Sequence, residues 1–247
     1  MEPKANRNAG GARDEPLFAA TRWSVVKRAR EDSTMALNQL FTQYREPLLI
    51  YPIARGQSRD SAEDLVQGFC AHLLSRDFLA RVAPDKGRFR TFLLNCLQNY
   101  VRDQIDKANT LKRGEGKAPD SLDETDADGK PLRTPASNAA SADLEFDKAW
   151  ARTILANGLH RLAEECGRTG YAALFRAVEP VLYADETSSS YRDIAGRLDM
   201  TEGAVKVAVH RIRARLKSLI RAEVLETVAS ESALEEELRY LISLFGN

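Results

Sequence analysis

The 247-residue sequence has few reactive side chains and no long apolar run: three cysteines, three histidines, and an apolar maximum at about Leu48 to Ala54. A membrane helix needs about 20 apolar residues, so no spanning segment is predicted. Lys4, Asn6, Arg7, Asn8, Gly10 and Gly11 contain no apolar signal region, and a cytoplasmic location is expected. Cys70, Cys96 and Cys166 stand far apart without a C-x-x-C pair, and an odd count argues against a disulfide framework. They are predicted to be reduced core thiols. His72, His160 and His210 are remote from one another and from the cysteines, so zinc-ligand spacing is lacking. No G-x-x-x-x-G-K-[ST] loop occurs. Asp103 and Asp106 share a helix face, but a metal-dependent nuclease needs a larger carboxylate cluster. No catalytic residue, metal or cofactor is expected.

Net charge is also lacking, because 36 Lys and Arg balance 36 Asp and Glu, so the total predicts no polyanionic partner. The distribution does. Arg81 to Lys117 carries nine bases against four acids, and Gly203 to Ala222 carries six bases and no acid. Between these basic islands, Asp120 to Asp147 carries eight acids against Lys130 and Arg133.

Apolar residues recur at helical spacing, first through Leu37, Leu40, Phe41 and Tyr44, then Leu65, Val66, Phe69 and Leu73, then Phe89, Phe92, Leu93, Cys96, Leu97, Tyr100 and Val101. The period resumes at Leu144, Phe146, Trp150, Ile154, Leu155, Leu159 and Leu162. No stretch alternates with period two. The expected fold is all-α, with two small helical domains joined by a flexible acidic linker. Residues 1–16 read as a disordered tail, 17–110 as the first domain, 111–143 as the linker, 144–222 as the second domain and 223–247 as an acidic amphipathic C-terminal extension. The extension carries Glu223, Glu226, Glu231, Glu235, Glu236 and Glu237 against Arg239, with an apolar stripe of Leu234, Leu238, Leu241, Ile242 and Phe245. That stripe is expected to pack on the second domain's core; the extension's charge would alternatively shield the basic segment Gly203 to Ala222 that precedes it.

The most informative segment is SYRDIAGRLDMTEGAVKVAVHRIRARL, residues 190–216. Ile194, Ala195 and Leu198 make one face of a short helix, Asp199-Met200 a turn, and Thr201 a good N-cap. Val205, Ala208, Val209, Ile212 and Leu216 then form the stripe of a longer helix. A helix-turn-helix is predicted. Asp199 stands where glycine is commonest, and aspartate tolerates the left-handed conformation such a turn requires. Lys206, His210, Arg213 and Lys217 follow the apolar stripe one position round. The second helix would enter the major groove by Thr201, Glu202, Gly203, Lys206 and Val207, with Arg211, Arg213, Arg215 and Lys217 neutralising phosphates. An exposed helix can carry arginines merely as a solvated face, but an unbroken positive helix inside this pattern favours nucleic acid.

This segment resembles region four, the promoter-reading domain, of sigma factors of bacterial RNA polymerase, especially the two-domain extracytoplasmic-function group. Three upstream segments are similar to region two of that family, in the right order: Phe41-x-x-Tyr44-x-x-Pro47, Asp60-Ser61-Ala62-Glu63-Asp64-Leu65-Val66-Gln67-Gly68-Phe69, and Asp85-Lys86-Gly87-Arg88-Phe89-Arg90-Thr91-Phe92-Leu93 with Asn99 and Asp103 following. The resemblance covers about 20–110 and 145–225. It departs from the family pattern at Leu162-Ala163-Glu164-Glu165-Cys166, and at Lys206-Val207-Ala208-Val209, where Lys-Ser-Arg is usual.

The resemblance implies a dissociable initiation subunit, with core RNA polymerase and promoter DNA as partners and an inhibitory anti-sigma protein as a candidate third. Asp60, Glu63, Asp64 and Gln67 would dock on the polymerase clamp. Lys86, Arg88 and Arg90, interleaved with Phe89 and Phe92, combine the cations and aromatics that holding a melted strand requires. The family resemblance places Asn99 near a base. A stand-alone helix-turn-helix regulator, its N-terminal half serving oligomerisation, is the alternative from another class; a DNA-modifying nuclease is a third reading.

Overall fold

A computed structural model describes residues 41–73, 75, 88–114, 136–182, 188–228 and 230–245. Among these the chain is helical, with no strand, and no helix is long and apolar enough to cross a membrane. The helices are α1 (Arg45–Ala54), α2 (Arg59–Leu73), α3 (Phe89–Gly114), α4 (Ala136–Arg168), α5 (Ala172–Val178), α6 (Ser188–Leu198), α7 (Glu202–Leu225) and α8 (Glu231–Ser243), with a 3-10 turn at Glu179–Val181. The expected tail at 1–16 lies outside the described residues.

Two apolar clusters form. The first gathers Tyr44, Leu48, Leu49 and Tyr51 of the α1 region, Val66 and Phe69 of α2, and Phe89, Leu93 and Leu97 of α3. Into it α4 inserts Ala142, Phe146, Trp150 and Ile154. Trp150 stacks on Tyr44 with ring centroids 4.1 Å apart and planes 7° from parallel, and Phe89 and Phe146 flank it at 6.2 and 6.1 Å. The second cluster joins Leu162 and Cys166 of α4 to Phe175, Val178, Tyr191, Ile194, Val205, Val209, Ile212 and Leu216.

Helices α4 and α7 serve both clusters. Helix α4 leaves the first after Ile154 and enters the second at Leu162, whereas α7 runs from Val205 in the second to Val224 in the first. They are therefore antiparallel. Gly158 lies where they cross: a Cβ built there would come within 3.0 Å of Ile220 Cγ1, so hydrogen alone fits without displacement. Beside it Arg161 donates to buried Glu223 at 2.7 Å.

The segments expected from the sequence overlap these helices. Of the expected linker 111–143, residues 111–114 belong to α3 and 136–143 to α4, where Ala142 is fully buried; residues 115–135 lie outside the described residues. Of the expected second domain 144–222, Phe146, Trp150 and Ile154 pack into the first core. The expected extension, 223–247, begins inside α7, which continues to Leu225. Its apolar stripe seats Leu234 and Leu241 on the first core, not the second, because α7 carries the chain back there before α8 begins. Ile242 and Phe245 stay outside, 68% and 54% exposed.

Trp150→Ala should cost about 3–5 kcal/mol, read from the urea midpoint by circular dichroism, because it empties the centre of the first core. Burial raises the Cys70 thiol to about 11, partly opposed by Arg45, and the Cys96 thiol to about 12. Both stay protonated at neutral pH, so alkylation of the native chain should run at least about tenfold slower than in denaturant, since the thiolate is the nucleophile.

Candidate nucleic-acid interface

Helices α6 and α7 meet through Asp199, Met200 and Thr201. Asp199 takes a positive φ of 52°, and the Met200 amide bonds back to the Ala195 carbonyl at 3.0 Å, which closes α6 with a left-handed residue. Thr201 is extended, and its hydroxyl accepts from the Ala204 amide at 3.2 Å, opening α7. Val205, Val209, Ile212 and Leu216 turn inward. The opposite face exposes Thr201, Lys206, Val207, His210, Arg211, Ala214 and Lys217.

The basic residues of α7 divide into two sets. Arg213 is half-buried and donates through Nε to the Leu182 carbonyl at 3.1 Å and through Nη2 to the Val181 carbonyl at 2.9 Å. It therefore fastens the 3-10 turn to α7. Arg215 makes a two-pronged bond to Glu165 at 2.7 and 2.8 Å, which holds the Glu165 carboxyl below the usual range. Lys206 pairs with Glu202 one turn earlier at 3.0 Å, and Arg221 pairs with Glu231 and Glu235. Arg211, His210 and Lys217 meet no ion-pair partner among the described residues and face solvent.

Helix α2 carries the expected polymerase-facing residues. Ala62, Val66, Phe69 and Leu73 are buried, which leaves Asp60, Asp64 and Gln67 along one exposed stripe. Glu63 leans aside to Arg59 at 3.2 Å and Arg45 at 3.4 Å. Ser58 opens the helix by accepting from the Ser61 amide.

The expected strand-contacting residues are differently placed. Lys86 lies outside the described residues, and Asn99 is exposed on α3. Arg90 is buried, with 6% of its surface accessible. Its Nε donates to Glu237 at 2.8 Å, its Nη1 to Asp147, and its guanidinium lies 4.7 Å from the centre of the Tyr240 ring. Tyr240 donates its hydroxyl to the same Asp147. Burial alone would lower the Arg90 pKa, but Glu237 and Asp147 outweigh it and hold the pKa above its ordinary value. Arg88, a third exposed, donates to Glu236 at 2.9 Å and pairs with Glu237 at 3.1 Å. The Phe89 amide donates to the Thr227 carbonyl at 2.8 Å, so the start of α3 is bound to the α7–α8 turn as well.

Asp147 and Tyr240 were not among the residues the sequence singled out, and Glu237 stood out only as one acid of the extension, not as a partner of Arg90. A signal for Glu237 exists: it lies three residues after Leu234 and four before Leu241, on the apolar stripe itself. Arg90 likewise sits beside Phe89 and four residues before Leu94, on the buried side of α3.

No family model, curated protein or solved structure matches the chain. Replacing Arg213 by Ala should lower stability by about 1.5–3 kcal/mol, because it removes charge-assisted bonds to two carbonyls. Arg211→Ala should stay within about 0.5 kcal/mol. Equal urea midpoints for the two variants would refute the division of α7 into structural and solvent-facing cations.

Proposed function

We propose that the chain is a sigma factor: a subunit that joins core RNA polymerase through α2, reads duplex promoter DNA with α6 and α7 as a helix-turn-helix, and directs transcription initiation. The observation that carries this reading is the left-handed Asp199 and the capping Thr201, followed by a helix whose outward face bears Lys206, His210, Arg211 and Lys217. A recognition helix meets phosphates with such cations and base edges with its first turn. Arg213 and Arg215, engaged within the protein, are left out of the proposed DNA contacts. The stripe of Asp60, Asp64 and Gln67 supplies the polymerase face, and an anti-sigma protein belongs to the same reading as a further partner.

One observation favours the second reading, a helix-turn-helix regulator that works without polymerase. Arg90 is occupied by the chain's own carboxylates, as a purely structural first core would have it. Run-off transcription with purified core polymerase separates the two, since only a sigma factor confers promoter-dependent transcripts. Asp64→Lys should weaken co-purification with core polymerase by about tenfold or more at unchanged thermal midpoint, because an exposed charge reversal acts through the partner's complementary charge. Unchanged co-purification removes α2 from the docking role. Arg211→Ala with Lys217→Ala should lower the salt slope of duplex binding by about two.

A further inference from the structure

The acidic helix α8 is held at the cationic start of α3, not at the DNA-facing side of α7 that adjoins it in sequence. We propose that α8 is an intramolecular latch: Glu236 and Glu237, with Asp147 of α4, occupy Arg88 and Arg90, and single-stranded DNA reaches these arginines only after α8 moves away. The proposal rests on the reading that Arg88 and Arg90 contact the opened strand.

The guanidinium fork that grips Glu237 would grip a phosphate in the same way. The two engagements exclude each other. A phosphate brought to Arg90 would share one guanidinium with Glu237 and Asp147, and like charges at that separation, away from water, repel strongly. Glu237 has no exposed surface and is answered by Arg90 and Arg88 together, so a strand that took both arginines would leave it a buried, uncompensated carboxylate. Entry of a strand therefore ejects α8.

Helix α8 is built to leave intact. Ser230 is extended and accepts from the Ala233 amide at 3.3 Å, so the cap travels with the helix. Leu234, Glu237 and Leu241 of α8 are buried, with Ala233, Leu238 and Tyr240 partly buried beside them, against five fully buried residues in α1. Glu236 is 66% exposed on its side chain, so the outer pair, Arg88 with Glu236, opens to water at one edge. An incoming polyanion can displace this pair first and Glu237 second.

The test uses the full chain and a fluorescein-labelled, mixed-sequence 20-nucleotide single strand, followed by anisotropy. Glu236→Gln with Glu237→Gln keeps shape while removing charge. It should bind the strand about tenfold more tightly, as expected when a competent state of about one-tenth population becomes dominant. Adding Arg88→Ala and Arg90→Ala should abolish the gain, and affinity for the corresponding duplex should change little. Glu236→Lys, at an exposed position, guards against misfolding of the double variant and should give a gain in the same direction. In the wild-type chain, saturating strand should raise amide hydrogen exchange across 231–243. Wild-type strand affinity in Glu236→Lys, or unaltered exchange across α8 on strand binding, overturns the latch and leaves α8 a structural helix. The sigma reading fails separately: a variant with tighter strand binding but no run-off transcript retains the latch and loses that reading, whereas promoter-dependent transcripts at wild-type strand affinity do the reverse.

Discussion

The close antiparallel crossing of α4 and α7 at Gly158 is the constraint from which the arrangement of the two cores follows. Helix α4 lends most of its buried residues to the first core and α7 most of its to the second, and each reaches into the other core. A side chain at Gly158 would push against Ile220 and loosen the contact of α4 with α7 between the two cores. The crossing also buries Glu223, whose charge is tolerable because Arg161 reaches it from the edge. A buried carboxylate without such a partner is strongly destabilising.

Much of the local structure was legible in the sequence because local structure has local causes. The 3.6-residue period marked the buried faces of α2, α3, α4 and α7. Asp199 and Thr201 announced the turn between α6 and α7 by conformational tolerance and capping chemistry, and both adopt the geometry that chemistry favours. Periodicity says which face is buried but not against what. Phe146 and Trp150 are therefore evident as core residues while their partner Tyr44, about a hundred positions away, is not. The start of α4 was hidden for a related reason: Ala136 to Ser141 is small and polar, and Ala142 contributes little apolar surface until Gln98 and Asp143 bring α3 and α4 together at 2.8 Å.

The candidate site was legible in part. Cations were visible as a pattern, but which carboxylate answers each is a long-range fact. Arg213 and Lys217 lie on the same helix face by spacing, yet one ends on backbone carbonyls and the other in water. The same holds for the overall charge balance. A chain with equal numbers of acids and bases can still present a locally positive face where its acids lie elsewhere in the sequence. Here Gly203 to Ala222 carries no acid, and Arg211 and Lys217 point outward from α7.

The pairing of Arg90 with Glu237 joins residues 147 positions apart, and this separation sets a schedule for the chain as it is made. A ribosome adds roughly 5–20 residues each second, so Arg90 emerges roughly 7–30 s before the carboxylate that will bury it. For that interval the first core lacks α4, α7 and α8 in turn, and the start of α3 is an open cationic segment beside unburied aromatic rings. The Arg90 pair must therefore wait until α8 has emerged, and loss of α8 would be felt at the start of α3, 147 positions earlier in the sequence.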